Sequence, residues 1–463
     1  MQSLRRSLPR LGIGLPLALL GALLAILLLA GGASRADALG QAVVRGASWA
    51  ALIAVLLLGN TPTATPARPV LWLLAASILL VALQLVPLPP SLWQALPGRG
   101  PLAGAAVVAG IPQPWRPLTI APWATLNALS SLVVPLAVLL LARKLGPEDQ
   151  ARLRGLLLVL IALSALIGLL QFSGAGVENV FVNYTVGDVS GTMANRNHFA
   201  LLMAVGCLVA PVWAFSAHRS ARWRAPFALA LLLLFLLVIL ASGSRAGLLV
   251  GSLATVIGIF LARRGLKREL AGAPKWLFPA LLILVALLAI AAIAASVLFG
   301  RAIAVDRAFV LEADQEMRAR ALPVVLDMVR SYFPAGAGFG SFDLSFRLNE
   351  PFDLLKPTYF NHAHDDFLEL LIDGGLPAAI LVAVAMGWWA VTSVRAWAGR
   401  AREGQTQQRL GSAILMVVFI ASVFDYPART PLVMAILVLA AIWLCPGEQG
   451  ASRSALPGED QHL

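Results

Sequence analysis

The stretch YFNHAHDDFLELLIDGGLP, residues 359–377, sets His362, His364, Asp365, Asp366, Glu369 and Asp373 into a chain that is 59% apolar. Imidazole exchanges its proton near neutral pH, so a histidine among carboxylates suggests general-base chemistry. From about His364 to Asp373 the pattern reads as a short amphipathic helix. Asp366, Glu369 and Asp373 fall along one face and His364, Phe367, Leu368 and Leu371 along another. Gly374 and Gly375 end this helix, and Pro377 opens an apolar span. His364 is thereby placed at a helix N-terminus, on the less polar face. Partial burial and the positive helix end both disfavour a charged ring, which leaves it neutral and able to accept a proton. The plainer reading is a capping or packing histidine, and His362 reads as loop or cap. A metal site from His362, His364, Asp365 and Asp366 is disfavoured, because adjacent carboxylates at a helix start diverge and no further histidine lies nearby.

Fixed positive charge is the second ingredient. ANRNHFA places Arg196 at the start of one apolar run, and ASGSRAGLL places Arg245 in a tight turn that opens another. Each joins a guanidinium to a helix N-terminus, and both features attract anions. Arg318, Arg320, Arg330 and Arg347 come from a long polar segment, and Arg429 from FDYPART. A neutral histidine among these arginines describes a cleft for a strongly anionic group, such as the diphosphate of a lipid-linked sugar. The base would deprotonate an acceptor hydroxyl, and the positive charge would hold the departing diphosphate. Other roles stay open: Arg196 and Arg245 can snorkel to lipid phosphates. The loop arginines can pair with Asp306, Glu312, Asp314 and Glu316. PAGAGFGSF, residues 334–342, is not a nucleotide loop, since no strand precedes it and no Lys-Ser/Thr follows.

These residues must be held by membrane helices. The chain has 463 residues, a mean hydropathy of +0.83 and only 13% charged residues, which is no soluble balance. About twelve apolar runs of roughly 17–22 residues recur, each enough to cross a hydrocarbon core. Their centres fall near Ala22, Ala54, Ala76, Val134, Leu163, Met203, Leu234, Thr255, Val285, Val384, Val417 and Ile436, the second and eleventh being the shortest. The fold class expected is an all-α polytopic membrane protein. The first run is too long for a signal-peptide core and reads as an uncleaved span. Cys207 and Cys445 lie inside apolar runs, which excludes a disulfide framework and a thiolate metal site. The net charge of +12 would suggest nucleic acid in a soluble protein. Here the basic residues pile up in alternate loops (Arg143, Lys144, Arg152 and Arg154; Arg219, Arg222 and Arg224; Arg263, Arg264, Lys267, Arg268 and Lys275; Arg395, Arg400 and Arg402), which the positive-inside rule places in the cytoplasm along with both termini. His364 and its arginines then face outward, into the periplasm of a Gram-negative cell.

Three outward segments exceed what connection requires: residues 87–123, rich in Pro and Trp, residues 174–196, and residues 300–375. The last is the candidate soluble subdomain, with a helix from Asp314 to Arg330 that Pro323 kinks and a glycine-rich turn that ends it. Three parts result: spans and the Pro/Trp-rich loop over 1–116, a main membrane domain over 117–445 that includes the 300–375 loop, and a disordered cytoplasmic tail over 446–463.

The chain resembles the O-antigen ligase and polymerase family, in PLTIAPWATLNAL (117–129), NRNHFA (195–200), SGSRAG (242–247), PAGAGFGSF (334–342), HAHDDFLELLIDGGLP (362–377) and VFDYPARTP (423–431). The family signature is a histidine, an amide or serine, nine residues, then glycine. His364, Asp365 and Gly375 fit that spacing, with Asp where Asn, Ser or Gln is usual. The resemblance implies a metal-independent, inverting glycosyltransferase of the bacterial inner membrane that needs no cofactor. It implies His364 as the base, and Arg245 with a loop arginine on the diphosphate. Arg318 fits the loop position best and Arg320 is its rival; Arg196, Arg347 and Arg429 complete the candidate binding set. His362, Asp365, Asn195, Asn197 and Asp425 are expected to support them. The implied partners are a polyprenyl-diphosphate-linked glycan donor, a glycan or lipid A core acceptor, membrane lipids and a chain-length regulator. NRNHFA and FDYPARTP look more like exopolysaccharide polymerases than ligases, and a relative that glycosylates protein is the third reading. The alternative class is a transporter of an anion or a lipid-linked sugar, since about twelve spans with both ends inside is a common carrier topology. Against it, the polar residues collect at one face rather than at the bilayer midplane.

Overall fold

A computed structural model of the chain describes residues 14–58, 63–65, 67–183, 187–215, 223–269, 305–355, 360–399 and 405–446, the side chains of 58 and 305–316 excepted. The described helices are, in order, α1 (Leu15–Ala30), α2 (Leu39–Leu58), α3 (Arg68–Leu83), α4 (Pro90–Ala95), α5 (Gly100–Val108), α6 (Pro122–Ser131), α7 (Val133–Ala142), α8 (Pro147–Phe172) and α9 (Arg196–Phe215). They continue with α10 (Arg224–Ala241), α11 (Arg245–Glu269), α12 (Val305–Tyr332), α13 (Phe342–Asn349), α14 (Asp366–Ala398), α15 (Gln405–Phe424) and α16 (Pro431–Leu444). A two-stranded antiparallel ribbon pairs β1 (Pro87–Leu88) with β2 (Arg116–Pro117).

Among the described residues eight helices are long and apolar enough to cross a membrane, α6 and α7 counting together as one of them. The protein is a multi-pass membrane protein. Every apolar centre read from the sequence falls in a helix except Val285, which lies outside the described residues, as do the tail from residue 447 and the basic residues Arg219, Arg222, Lys275, Arg400 and Arg402. The lengths differ from expectation. α2 and α15 have 20 residues each, whereas α1 and α3 have 16 and α16 has 14. Hydropathy does not mark where a helix starts; proline does, and Pro16, Pro69 and Pro431 occupy the first turns of the three short helices.

α9 is the central helix, with 89% of its apolar stretch buried against 28% for α14. Small residues let α11 lie directly on it. A Cβ added at Gly258 would sit 2.5 Å from the Cys207 carbonyl oxygen, so the two backbones are in contact. Close backbone approach through small residues is the main source of attraction between helices in lipid, where burying apolar surface gains little. Leu56, Leu57 and Trp72, each more than 70% exposed, belong to the surface that lipid would cover. At the opposite end of the helices from His364, Arg409 satisfies the Ala396 and Gly399 carbonyls at the C-terminus of α14.

A second, smaller core lies at the His364 end. Trp93 and Ile120 of the Pro/Trp-rich loop pack with Ala321, Val325, Met328 and Tyr332 of α12, Phe342 and Phe346 of α13, and Ile372 of α14. The subdomain expected from residues 300–375 alone is thus built by two loops. Arg99 joins them: its guanidinium donates to the carbonyls of Pro97, Leu118 and Gly336, and burial lowers its pKa to about 10. α12 starts earlier than expected and runs through Pro323 as one helix, because proline removes a single donor and the rest of the ladder remains.

The glycine-rich turn then fixes α14. Gly375 has φ +56° and ψ −143° inside that helix, a backbone that side-chain-bearing residues avoid, and a Cβ there would lie 2.1 Å from the Pro334 carbonyl oxygen. Across the break, Ala337 N donates to Ile372 O (2.7 Å), Gly338 N to Asp373 O (2.8 Å) and Leu376 N to Pro334 O (2.9 Å). The Gln84 side chain bridges the same two segments, donating to Asp373 O and accepting from Phe339 N. The first two turns of α14, which follow His364, are thereby held apart from the long apolar remainder.

Candidate functional site

His364 lies just outside α14, with φ +54°. Left-handed backbone is uncommon for residues other than glycine and tends to persist where surrounding contacts enforce it. The next residue, Asp365, is the N-cap: one carboxylate oxygen accepts from Phe367 N (2.9 Å) and Leu368 N (3.0 Å). The Asp that departs from the family pattern therefore does capping work that Asn or Ser would also do. In an extended chain, residues two apart project to one side. The turn at His364 breaks that alternation, and His362 and His364 face different cavities.

The anchor of His364 comes from a distant part of the chain. Asp425 follows α15 and is 3% exposed; its Oδ1 lies 3.2 Å from His364 Nδ1 and accepts from Tyr426 N at 3.0 Å. Its Oδ2 accepts from the side-chain amides of Asn195 (3.1 Å) and Asn197 (2.6 Å), at the start of α9. Asn197 in turn accepts from Ser244 Oγ (2.7 Å) in the turn that opens α11. Burial opposes ionisation of Asp425, yet the imidazoles of His198 and His364 beside it hold its carboxyl well below the usual range. An ionised acceptor at Nδ1 puts the ring proton there and leaves Nε2 with a lone pair. For His364 itself, burial dominates and lowers the pKa, Arg318 and His362 act in the same direction, and Asp425 opposes them. A neutral ring follows, as a base requires.

His364 opens onto a cleft of about 600 Å³ whose walls include Arg196, Asn197, Ser244, Arg245, Arg318 and Asp365. Three guanidiniums thus converge with the imidazole. Arg196 and Arg245 are the first residues of α9 and α11, and Arg196 lies 3.7 Å from Asp188. Arg318, on α12, reaches back to Asp425 Oδ2 at 3.8 Å. Leu249, Leu322, Leu368, Val423 and Phe424 supply the apolar part of the wall.

Three expected binders lie elsewhere. Arg320 bonds Asp353 at 2.9 Å, because residues two apart on a helix point to nearly opposite sides and Arg318 takes the cleft side. Arg347 pairs with Asp343 one turn back on α13. Arg429 is enclosed by carboxylates, with Nη1 at 3.0 Å from Glu369 and 3.3 Å from Asp373, and Nε at 3.5 Å from Asp366. The acidic face of the short helix is therefore buried around a cation, whose pKa is raised by those carboxylates against the opposing effect of burial. His362 joins this second cluster, bonding Glu369 (2.9 Å) and Ser34 (3.1 Å) and packing against the Tyr426 ring at a tilt of 35°. A second cavity of about 840 Å³, lined by His362, Asp366, Arg429 and apolar residues of α3, α14 and α16, adjoins it.

Sequence reasoning named the motifs but passed over three residues inside them: His198, Ser244 and Tyr426. Tyr426 has ring centroids 4.1 Å from His362 and 5.0 Å from both His198 and His364. A polar residue placed just inside an apolar run, as His198 is, was the available signal. Among curated proteins none matches the chain. Residues 228–383 match the family model described as O-antigen ligase, a narrower range than the resemblance read over 117–431. The match spans α10 through the first half of α14 and so takes in Arg245, Arg318 and His364, whereas Asn195, Arg196, Asn197 and Asp425 lie outside it. Over those residues, about a third of its length, the chain is similar to the O-antigen ligase family.

Proposed function

We propose that the protein is a glycosyltransferase that moves a polyprenyl-diphosphate-linked glycan onto an acceptor hydroxyl at the outer face of the bacterial inner membrane. The observation that carries this reading is the cleft itself, which sets a carboxylate-anchored imidazole among Arg196, Arg245 and Arg318. His364 Nε2 takes the proton of the acceptor hydroxyl as its oxygen attacks the anomeric carbon. The bond from that carbon to the diphosphate oxygen breaks, and the diphosphate leaves with the electron pair, held by the arginines. Attack opposite the leaving group inverts the anomeric centre. So good a leaving group requires no general acid, and the family resemblance implies no metal. About twelve spans with both termini inside would place the cleft outward. The basic residues at the far ends of α7, α11 and α14 (Arg143, Lys144, Arg263, Arg264, Lys267, Arg268 and Arg395) support that orientation.

Polymerase and ligase share this chemistry and differ in acceptor. Purified protein incubated with a polyprenyl-diphosphate-linked repeat unit, without lipid A core, is expected to form a ladder of longer lipid-linked chains. Transfer that begins only when core is added would make it a ligase. His364→Ala is expected to abolish transfer in either case while donor binding survives. Transfer by that variant would remove His364 from the base role, and anion uptake into proteoliposomes would favour the carrier.

A further inference from the structure

Behind the His364–Asp425 pair lies a third polar side chain that the proposed reaction leaves unused. His198 belongs to the first turn of α9 and is 2% exposed. Neither of its ring nitrogens has a hydrogen-bond partner among the described residues. A buried unpartnered imidazole in a membrane helix is costly. Its Nε2 lies 3.8 Å from Asp425 Oδ1, the same oxygen that holds His364 Nδ1 at 3.2 Å. A separation of 3.8 Å exceeds a hydrogen bond, so the coupling is electrostatic or runs through one water. A cavity of about 10 Å³ bounded by His198, Asn197, Asp425 and Pro427 is of the order one water needs. The Tyr426 ring stands edge-on to both imidazoles, at 5.0 Å from each, and fixes their planes relative to the carboxylate.

We infer that His198 is a positioning residue for the transfer reaction: sharing Asp425 Oδ1 with His364, it limits how strongly that carboxylate holds the base. The inference rests on the proposed role of His364. Asp425 is faced by His198, His364 and Arg318, and His364 by Asp425, Arg318 and His362; removing His198 changes one member of this set. With His198 gone, the carboxylate's charge acts on His364 undivided and favours the protonated ring. The base then needs a higher pH to be free.

The test is the pH profile of transfer in purified, membrane-reconstituted protein. In His198→Phe the acid limb is expected to move to higher pH by about one unit, so that activity on that limb falls about tenfold and is restored at alkaline pH, the donor KM staying near wild type. His198→Gln, whose amide can donate to Asp425, is expected to return the limb toward the wild-type position. A packing defect would instead lower the rate at every pH. An unmoved limb in His198→Phe overturns the inference, and His198→Leu answers the same question should the Phe variant not fold. His364→Ala measured alongside separates the two readings: if it still transfers, the base assignment fails. If it is inactive and the His198 limb does not move, only the present inference fails.

Discussion

In the proposed reaction, Asp425 decides the chemistry that His364 performs, because a carboxylate at Nδ1 sets the tautomer and leaves Nε2 as the proton acceptor. Asp425→Asn offers a group that can donate at Nδ1 and so favours the wrong tautomer. We expect kcat to fall about 10²-fold or more, with donor KM little changed. The sign of the pH dependence follows from the buried ring. A base works deprotonated, and burial holds the pKa of His364 below the ordinary imidazole range. The rate should therefore be level through neutral pH and fall as the pH drops through that depressed value. In Asp425→Asn the residual activity should fall at a still lower pH, since the group that favours the charged ring is gone. Measured kcat/KM profiles report these free-enzyme values; an acid limb already falling above pH 7 would contradict the assignment.

The element that aims His364 is α14, and its break at Gly375 is what lets a short polar helix and a long apolar one share one stretch of sequence. The Pro334–Gly340 turn closes against that break through backbone hydrogen bonds, and the loop carrying Arg99 and Gln84 closes against the turn. Gly375→Ala puts a Cβ where φ is +56° and where the Pro334 carbonyl already lies. We expect a loss of at least about 1–3 kcal/mol, seen as a lower unfolding temperature in detergent, together with a fall in transfer because His364 is misaimed. Gly387 lies on the same helix with nothing within 4 Å of an added Cβ, so Gly387→Ala should be neutral or slightly stabilising. Equal effects at the two positions would mean that the break is not what holds the site.

For the whole molecule, function depends on which end of the bundle faces out. The first residues of α9, α11 and α14 share the end that holds the cleft, while the basic ends of α7, α11 and α14 share the other. Cys207 and Cys445 are buried, so single cysteines added on the surface report orientation against a quiet background. Asp353→Cys, at a side chain 70% exposed near the cleft end, should react with a membrane-impermeant maleimide in intact cells. Lys267→Cys, exposed at the far end of α11, should react only after permeabilisation. The reverse pattern would invert the orientation and place the proposed transfer reaction in the cytoplasm.

Apolar length and charge asymmetry made the class legible without coordinates, because lipid demands about 20 apolar residues per helix and tolerates few charges. His364, Arg245, Arg196, Asn197 and Asp365 were legible as well, since they stand at helix starts in short polar motifs; Arg318, midway along α12, came from the resemblance through its distance upstream of the glycine-rich turn, and the structure brings all six to one cleft. Composition could not foresee that Arg429 would be enclosed by Asp366, Glu369 and Asp373, because that cluster joins residues about 60 apart in sequence through the packing of α14 against the segment before α16. Spacing ranked Arg318 above its rival Arg320, and the faces of α12 put Arg318 in the cleft and Arg320 against Asp353. The sequence by itself determined which residue types reach one end of the bundle. Only the tertiary structure decided their partners, because charge pairing depends on distance, and distance here is set by the contact of α9 with α11 and the break in α14.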